Sequence, residues 1–341
     1  SRDNIFMGYD AGGGTWLDAA SSYNIAIGHY AMDGALNGAG NNVAIGYQVG
    51  SALTTANHNV MIGSQAGENA TTGGYSVIIG KDAGRYHYTA NQNVLIGYSA
   101  GGKYAIFHIL GDNTTAIGNE AGYYASGSNN TFLGSEAGKG GTTSAPYSSG
   151  QNNTAVGYQA LVAFTTGTTN VAVGSYSLDA VTTGYANIGI GYYAGSALTT
   201  GYRNVIIGEN ALDGALDVDN NVAIGYNAGG AHTTGDDNVW IGKEAGESAT
   251  YHASCVAVGT GALGRSSGSF NTAIGREALS GNQGGGATNS NRNTAVGYYA
   301  LRQVGEGGNQ ENVGIGYQAG DVVTTGGNNV LVGAHAGGTV T

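Results

Sequence analysis

The sequence predicts an all-β fold: a β-solenoid of about 19 coils with a dominant 17-residue repeat, running as one continuous domain over residues 1–341. Three observations predict it. One short phrase recurs nineteen times, as in Asn59-Val60-Met61-Ile62-Gly63-Ser64-Gln65-Ala66-Gly67. Its anchor glycine recurs at intervals of 17 residues in ten of eighteen cases, six of them unbroken from Gly157 to Gly259. A fixed short period is the mark of a stacked, quasi-one-dimensional chain. Finally, aliphatic residues stand two apart before each glycine, which is strand periodicity and not helical periodicity.

One coil reads as follows, with the anchor glycine as position 0. Position −1 is Ile, Val, Leu or Met in every copy, and position −3 is Val, Ile, Thr or, at the first copy, Ile5. Alternate strand residues share a face, and β-branched residues suit a pleated strand. These two positions are therefore expected to point inward, with Ile45, Ile62, Ile79, Ile96, Ile207, Ile224 and Ile241 forming an interior ladder. Position −4 is Asn in sixteen copies, with Ser76, Thr114 and Cys255 as the exceptions. Asn bonds local backbone at corners, and stacked in register it can form an amide ladder. The anchor glycine marks the corner leaving the strand. Position +3 is Ala in seventeen copies, which implies a tight second wall; position +4 is Gly in twelve and Leu or Met in seven. Thr pairs such as Thr54-Thr55 and Thr199-Thr200 read as a short return strand and its turn. Coils stacked at about 4.8 Å would give nineteen of them a length of roughly 90 Å.

Position −2 falls on the other strand face. It is Phe6, Met61, Ile78, Leu95, Phe132, Ile206, Trp240 and Leu331 in eight coils, and mostly Ala elsewhere. A strand apolar on both faces is covered on both. Position −2 is accordingly expected to line the axis of a parallel homotrimer. The period breaks around Asn37–Asn41, Lys103–Asp112, Lys139–Gln151, Ser280–Arg292 and Arg302–Glu311, and such insertions leave a solenoid from one edge. The apolar run 103–110 reads as a packing or interface patch.

Composition narrows the function. Net charge is −11, which disfavours phosphate backbones and so nucleic acid as a partner. The lone Cys255 excludes an intrachain disulfide framework. No apolar run reaches membrane length, so no membrane insertion is expected. The seven histidines fall at unrelated repeat phases, no metal-ligand pair is spaced as a known type, and neither metal nor cofactor is expected. Acidic residues at position +2 (Asp10, Asp82, Glu120, Glu136, Glu244, Glu277) alternate with glutamines and read as a solvated column, not as the carboxylate pair of a glycosidase. Asp217, Asp219, Asp236 and Asp237 read as an acidic loop. Tyrosines follow the anchor at Tyr9, Tyr47, Tyr98, Tyr158, Tyr192, Tyr226, Tyr298 and Tyr317. Such rings stack between coils, and their flat faces also suit sugars. The last seven of these are the candidate binding residues.

The phrase Asn221-Val222-Ala223-Ile224-Gly225-Tyr226-Asn227-Ala228-Gly229 resembles the repeats of bacteriophage tail fibre proteins, and those of the left-handed β-roll head of trimeric autotransporter adhesins. The resemblance covers essentially the whole chain. The 17-residue coil is longer than the adhesin coil, which favours the tail-fibre side. The resemblance implies a non-enzymatic homotrimeric fibre segment, extracellular on a virion or cell surface. Such a segment contacts a host or surface receptor, glycan or protein, and a C-terminal chaperone is removed after assembly. A structural extracellular filament, an ice-binding solenoid and a polysaccharide-degrading β-helix are the competing classes.

Overall fold

The computed structural model describes residues 2–16, 20–102, 111–141, 148–247, 251–281, 288–289, 291–304, 310–323 and 326–340. The fold is an all-β parallel β-solenoid, with no helix among the described residues. The chain divides into two compact units, Ser1–Val173 and Gly174–Thr341. The first carries ten three-residue strands, from Ile5–Met7 and Ile25–Ile27 to Thr154–Val156 and Val171–Val173. The second carries nine, from Ile188–Ile190 and Val205–Ile207 to Val330–Val332. Each ends one residue before an anchor glycine. Like positions pair with like: Val43 with Val60, Ala44 with Met61, Ile45 with Ile62, all parallel.

The anchor glycines are required twice over. At Gly63 φ is +130°, and a Cβ would stand 2.7 Å from both the carbon and the oxygen of the Gly80 carbonyl in the next coil. No side chain fits there, so the chain turns its corner on bare backbone.

The strand faces are the reverse of the expectation. Position −2 points into the coil: Met61, Ile78, Leu95, Phe132, Ile206 and Trp240 are fully buried within their own chain. Phe6 and Leu331, in the first and last coils, are half-buried. None of the six is available to an oligomer interface. The expected interior row lies outside instead. Ile62 and Ile241 are exposed (36% and 38%), and Ile45, Ile79, Ile96, Ile207 and Ile224 are half-buried on the same outer face. Both phases of the strand are apolar, so alternation alone does not say which phase is inside. Interior width decides it.

The coil is thin enough that position −2 and position +4 share one space. Where −2 is large, +4 is glycine in seven of eight coils, the exception being Ile206 with Leu212: a Cβ on Gly138 would lie 2.1 Å from the Phe132 ring, and one on Gly246 2.3 Å from Trp240 Cδ1. Where −2 is Ala, +4 is often leucine, as with Ala155 and Leu161 or Ala257 and Leu263, all buried. Some large residues fill the space of two coils; Gly195 faces both Ile206 and Leu178. The position +3 alanines complete the opposite wall, with Ala66, Ala137 and Ala228 wholly buried.

The asparagine column forms the expected ladder. Asn59 donates its backbone N–H and its Nδ2 to Asn42 Oδ1 (3.0 and 3.1 Å), and Nδ2 also donates across its own coil to the Gly73 carbonyl at 3.0 Å. In the second unit Asn204, Asn221 and Asn238 repeat the pattern. Buried amides so paired tie coil to coil and wall to wall. Cys255 holds the same ladder position. It accepts from Asn271 N–H at 3.5 Å and donates to the Gly268 carbonyl at 3.3 Å; burial raises its thiol pKa. At the corner entering the strand the residue before the asparagine is left-handed, as at His58 (φ 60°), Thr169 (57°) and Phe270 (61°).

The return wall is mostly bends and not the expected strand. Thr54 and Thr71 still reach the next coil, donating N–H and Oγ1 to the carbonyls of Thr71 and Tyr88 respectively. Among the described residues two-residue strands occur only in the second unit: Ser266–Ser267 pairs with Thr288–Asn289, and Val322–Val323 lies between Gln303–Val304 and Thr339–Val340. Thr324-Thr325 lies outside the described residues.

Histidine enters this interior at His87, His232 and His252, all buried. Asn93 Oδ1 accepts from Thr114 N–H at 2.6 Å, which leaves Asn93 Nδ2 facing His87 Nε2 at 2.7 Å. An amide nitrogen only donates, so Nε2 must be bare. Burial accordingly lowers the His87 pKa to about 4 and, with His232 alongside, the His252 pKa to about 3.

Two outcomes follow from this packing. Trp240→Ala alone should cost about 3–5 kcal/mol by leaving a cavity, and Gly246→Leu alone should also destabilise by overpacking. The double variant should be more stable than the sum of the two, by at least about 1 kcal/mol of coupling in a denaturant double-mutant cycle. Additive costs would contradict the shared space. Second, the folded His87 pKa lies below the unfolded value of about 6.5, so the unfolded chain binds the extra proton between those values. The stability is whole above pH 6.5 and declines as pH falls towards 4, by roughly 3 kcal/mol at about 1.36 kcal/mol per pKa unit. His87→Leu, which copies Leu53 at the same coil position, should remove that part of the decline in melts of the full chain.

Candidate functional site

Turning the strands over changes what the surface offers. Positions −3 and −1 now form the outside of each sheet. In the first unit they are seventeen Val, Ile, Leu or Met side chains and three threonines, without one charge. They are exposed or half-buried throughout, with Leu133 at 44% and the terminal Ile5 and Met7 higher still. The second unit repeats this, from Ile188 and Ile190 to Ile315. Five of the twenty are exposed and fifteen half-buried, which leaves an apolar band on the order of several hundred Å² in the first unit, the scale of the about 800 Å² per partner in a stable interface. Apolar patches of that extent mark interaction sites.

The tyrosine column lies beyond the corner. Tyr47, Tyr98, Tyr158, Tyr192, Tyr226 and Tyr317 are exposed, and Tyr298 is half-buried. Their rings also meet neighbours. Tyr298 and Tyr317 stack between coils at 5.5 Å and 6°, and one position further on Tyr176 and Tyr193 stack at 4.8 Å and 6°. Eleven of the nineteen anchors are followed by another residue, such as His29, Ser64, Lys81 or Thr260, so only Tyr298 and Tyr317 stand in adjacent coils and the rest are isolated platforms.

The polar column at +2 and +5 is largely self-satisfied in the first unit. Arg85 pairs with Glu68 of the preceding coil and with Asp82 at 3.4 Å; Lys139 pairs with Glu120 at 2.7 Å and Glu136 at 3.6 Å. Gln159 donates to Glu136 Oε2 at 3.0 Å. In the second unit Glu244 pairs with Lys243 at 3.1 Å and Glu277 with Arg276 at 3.7 Å.

The acidic loop is built into the backbone. Asp219 Oδ1 accepts from Tyr202 N–H at 2.9 Å, Asp236 Oδ1 from Asp219 N–H at 2.8 Å, and Asp217 Oδ1 from the Thr200 hydroxyl at 2.7 Å. These carboxylates serve as caps between coils. Among the described residues no cluster of three or more His, Cys, Asp or Glu side chains is arranged to hold a metal ion. No helix among them is long and apolar enough to cross a membrane. The apolar run 103–110 lies outside the described residues.

The sequence reading missed the aliphatic face because it placed those residues inside. The signal that finds it is the reciprocal size of −2 and +4. Compared with known proteins, the chain matches no family model and no curated protein.

Proposed function

We propose that this chain is a non-enzymatic fibre segment that self-associates through its aliphatic sheet face and displays its corners to a receptor. The observation that carries the proposal is the uncharged Val/Ile face. An aliphatic ladder repeating at about 4.8 Å is matched along its length only by a partner of the same period. A second copy in parallel has that period by construction. The resemblance to tail-fibre and adhesin repeats favours three copies around one axis and a place outside the cell. With the aliphatic faces turned inward, the tyrosine platforms and polar corners would remain outward, where a host or surface receptor, glycan or protein, can reach them.

The solution mass tests this. Three chains of 34.0 kDa give about 102 kDa. Ile62→Lys with Ile79→Lys should lower the mass to that of one chain while leaving the β-spectrum intact, since both side chains are outside. Met61→Lys should unfold the first unit instead, because it puts a charge into the coil. A wild-type chain that stays single at micromolar concentration, or a trimer unaffected by the double lysine variant, would overturn the proposal.

A further inference from the structure

Position +2 carries a side chain in every coil but one. In the coil anchored on Gly259 it is Gly261, and position +5 of the same coil is Gly264. The two missing side chains leave a notch in the polar column of the second unit, a cleft of about 240 Å³. Glu244 and Glu247 stand on one side of it, and Glu277 and Ser280 on the other. The two sides are two coils apart, about 9.6 Å at twice the interstrand spacing.

The walls are not saturated. Glu277 Oε2 and Ser280 Oγ are buried and have no hydrogen-bond partner among the described residues, and Ser280 as a whole is only 6% exposed. A buried carboxylate oxygen without a donor is costly unless something supplies one. The donor is not an ordinary cation, because Lys243, Arg265 and Arg276 already line the cleft. Nor is the occupant an anion, because three carboxylates line it too. Each wall offers an acceptor beside a donor, the pattern a neutral hydroxyl requires because it both donates and accepts.

The flanks extend the same chemistry. Lys243 Nζ lies 5.9 Å from the centre of the Tyr226 ring and the Arg276 guanidinium 5.8 Å from that of Tyr298. The notch therefore lies between two tyrosines, each with a cation over its ring. Those cations are hydrogen-bond donors beside the slot, which suits the hydroxyls of a sugar. The cleft is smaller than the roughly 300–1,000 Å³ that holds drug-sized ligands, so one ring is its capacity.

From this geometry we infer that the Gly261 notch is a subsite for one neutral pyranose unit of a glycan, with Glu277 and Ser280 bonding its hydroxyls. The inference rests on the attachment reading above and names its ligand class.

An immobilised panel of neutral and sialylated oligosaccharides tests it, with the full chain and Gly261→Gln compared side by side. The variant installs a residue the column already uses: Gln48 and Gln65 hold φ of 50° and 61° at this position, and Gly261 itself has φ +64°. Its Cβ would meet only the flexible Glu277 Cγ, at 3.2 Å, so the fold should persist and the notch should fill. Neutral glycans should bind the wild type, and at least tenfold more weakly the variant; Glu277→Gln should also weaken them without a change in melting. Equal binding by Gly261→Gln, or binding of sialylated glycans alone, overturns the notch as a neutral-sugar site and leaves the attachment reading standing. A wild type that binds no glycan on the panel overturns the notch and the glycan form of that reading together, while trimer formation still judges the fibre proposal separately.

Discussion

The width of the coil interior governs this molecule. Two walls lie close enough that one large side chain spans the space between them, from position −2 or from position +4. Phe132 over Gly138 and Trp240 over Gly246 are the extreme cases. Everything else in the cross-section is small, flat or hydrogen-bonded: the alanines at +3, the asparagine ladder at −4, the bare anchor glycines. A coil this thin buries little on its own, so neighbouring coils supply both the backbone partners and the remaining cover. That is the logic of a stacked repeat, in which stability comes from repeat interfaces more than from any one repeat.

The same constraint assigns the surface. Once position −2 fills the inside, strand alternation sends −3 and −1 outward, and a band of valine and isoleucine becomes the most apolar part of each unit's exterior. A monomeric protein has little reason to keep that band free of charge. Its polar corners carry the opposite character: ion pairs between coils, capping aspartates, and exposed tyrosines. An aliphatic face and a polar, aromatic corner therefore follow from one packing rule.

Much of this was legible in the sequence. The nineteen anchors place each three-residue strand to the residue, and the asparagine column announced its ladder. What failed was the choice of strand face. The uniformity of Ile45, Ile62 and Ile79 suggested an interior, yet a shared interior is where sizes must vary reciprocally. Ala155 with Leu161, and Trp240 with Gly246, record that reciprocity in plain residues. The left-handed corner residue was less legible, because Thr169, Ala186 and Phe270 adopt it against their own preference, held there by the coils on either side. The notch is visible as a gap in the column, Gly261 between Glu244 and Glu277, but only a structure shows that Glu277 Oε2 and Ser280 Oγ lack a hydrogen-bond partner among the described residues.

The central claim is tested most directly by a nuclear Overhauser measurement between the Trp240 indole protons and the Gly246 α-protons, which does not depend on association state. The account predicts a strong effect, with the Gly246 α-protons shifted by the indole ring and restored in Trp240→Ala. An absent effect, with Ile241 methyl protons near Gly246 instead, would contradict it.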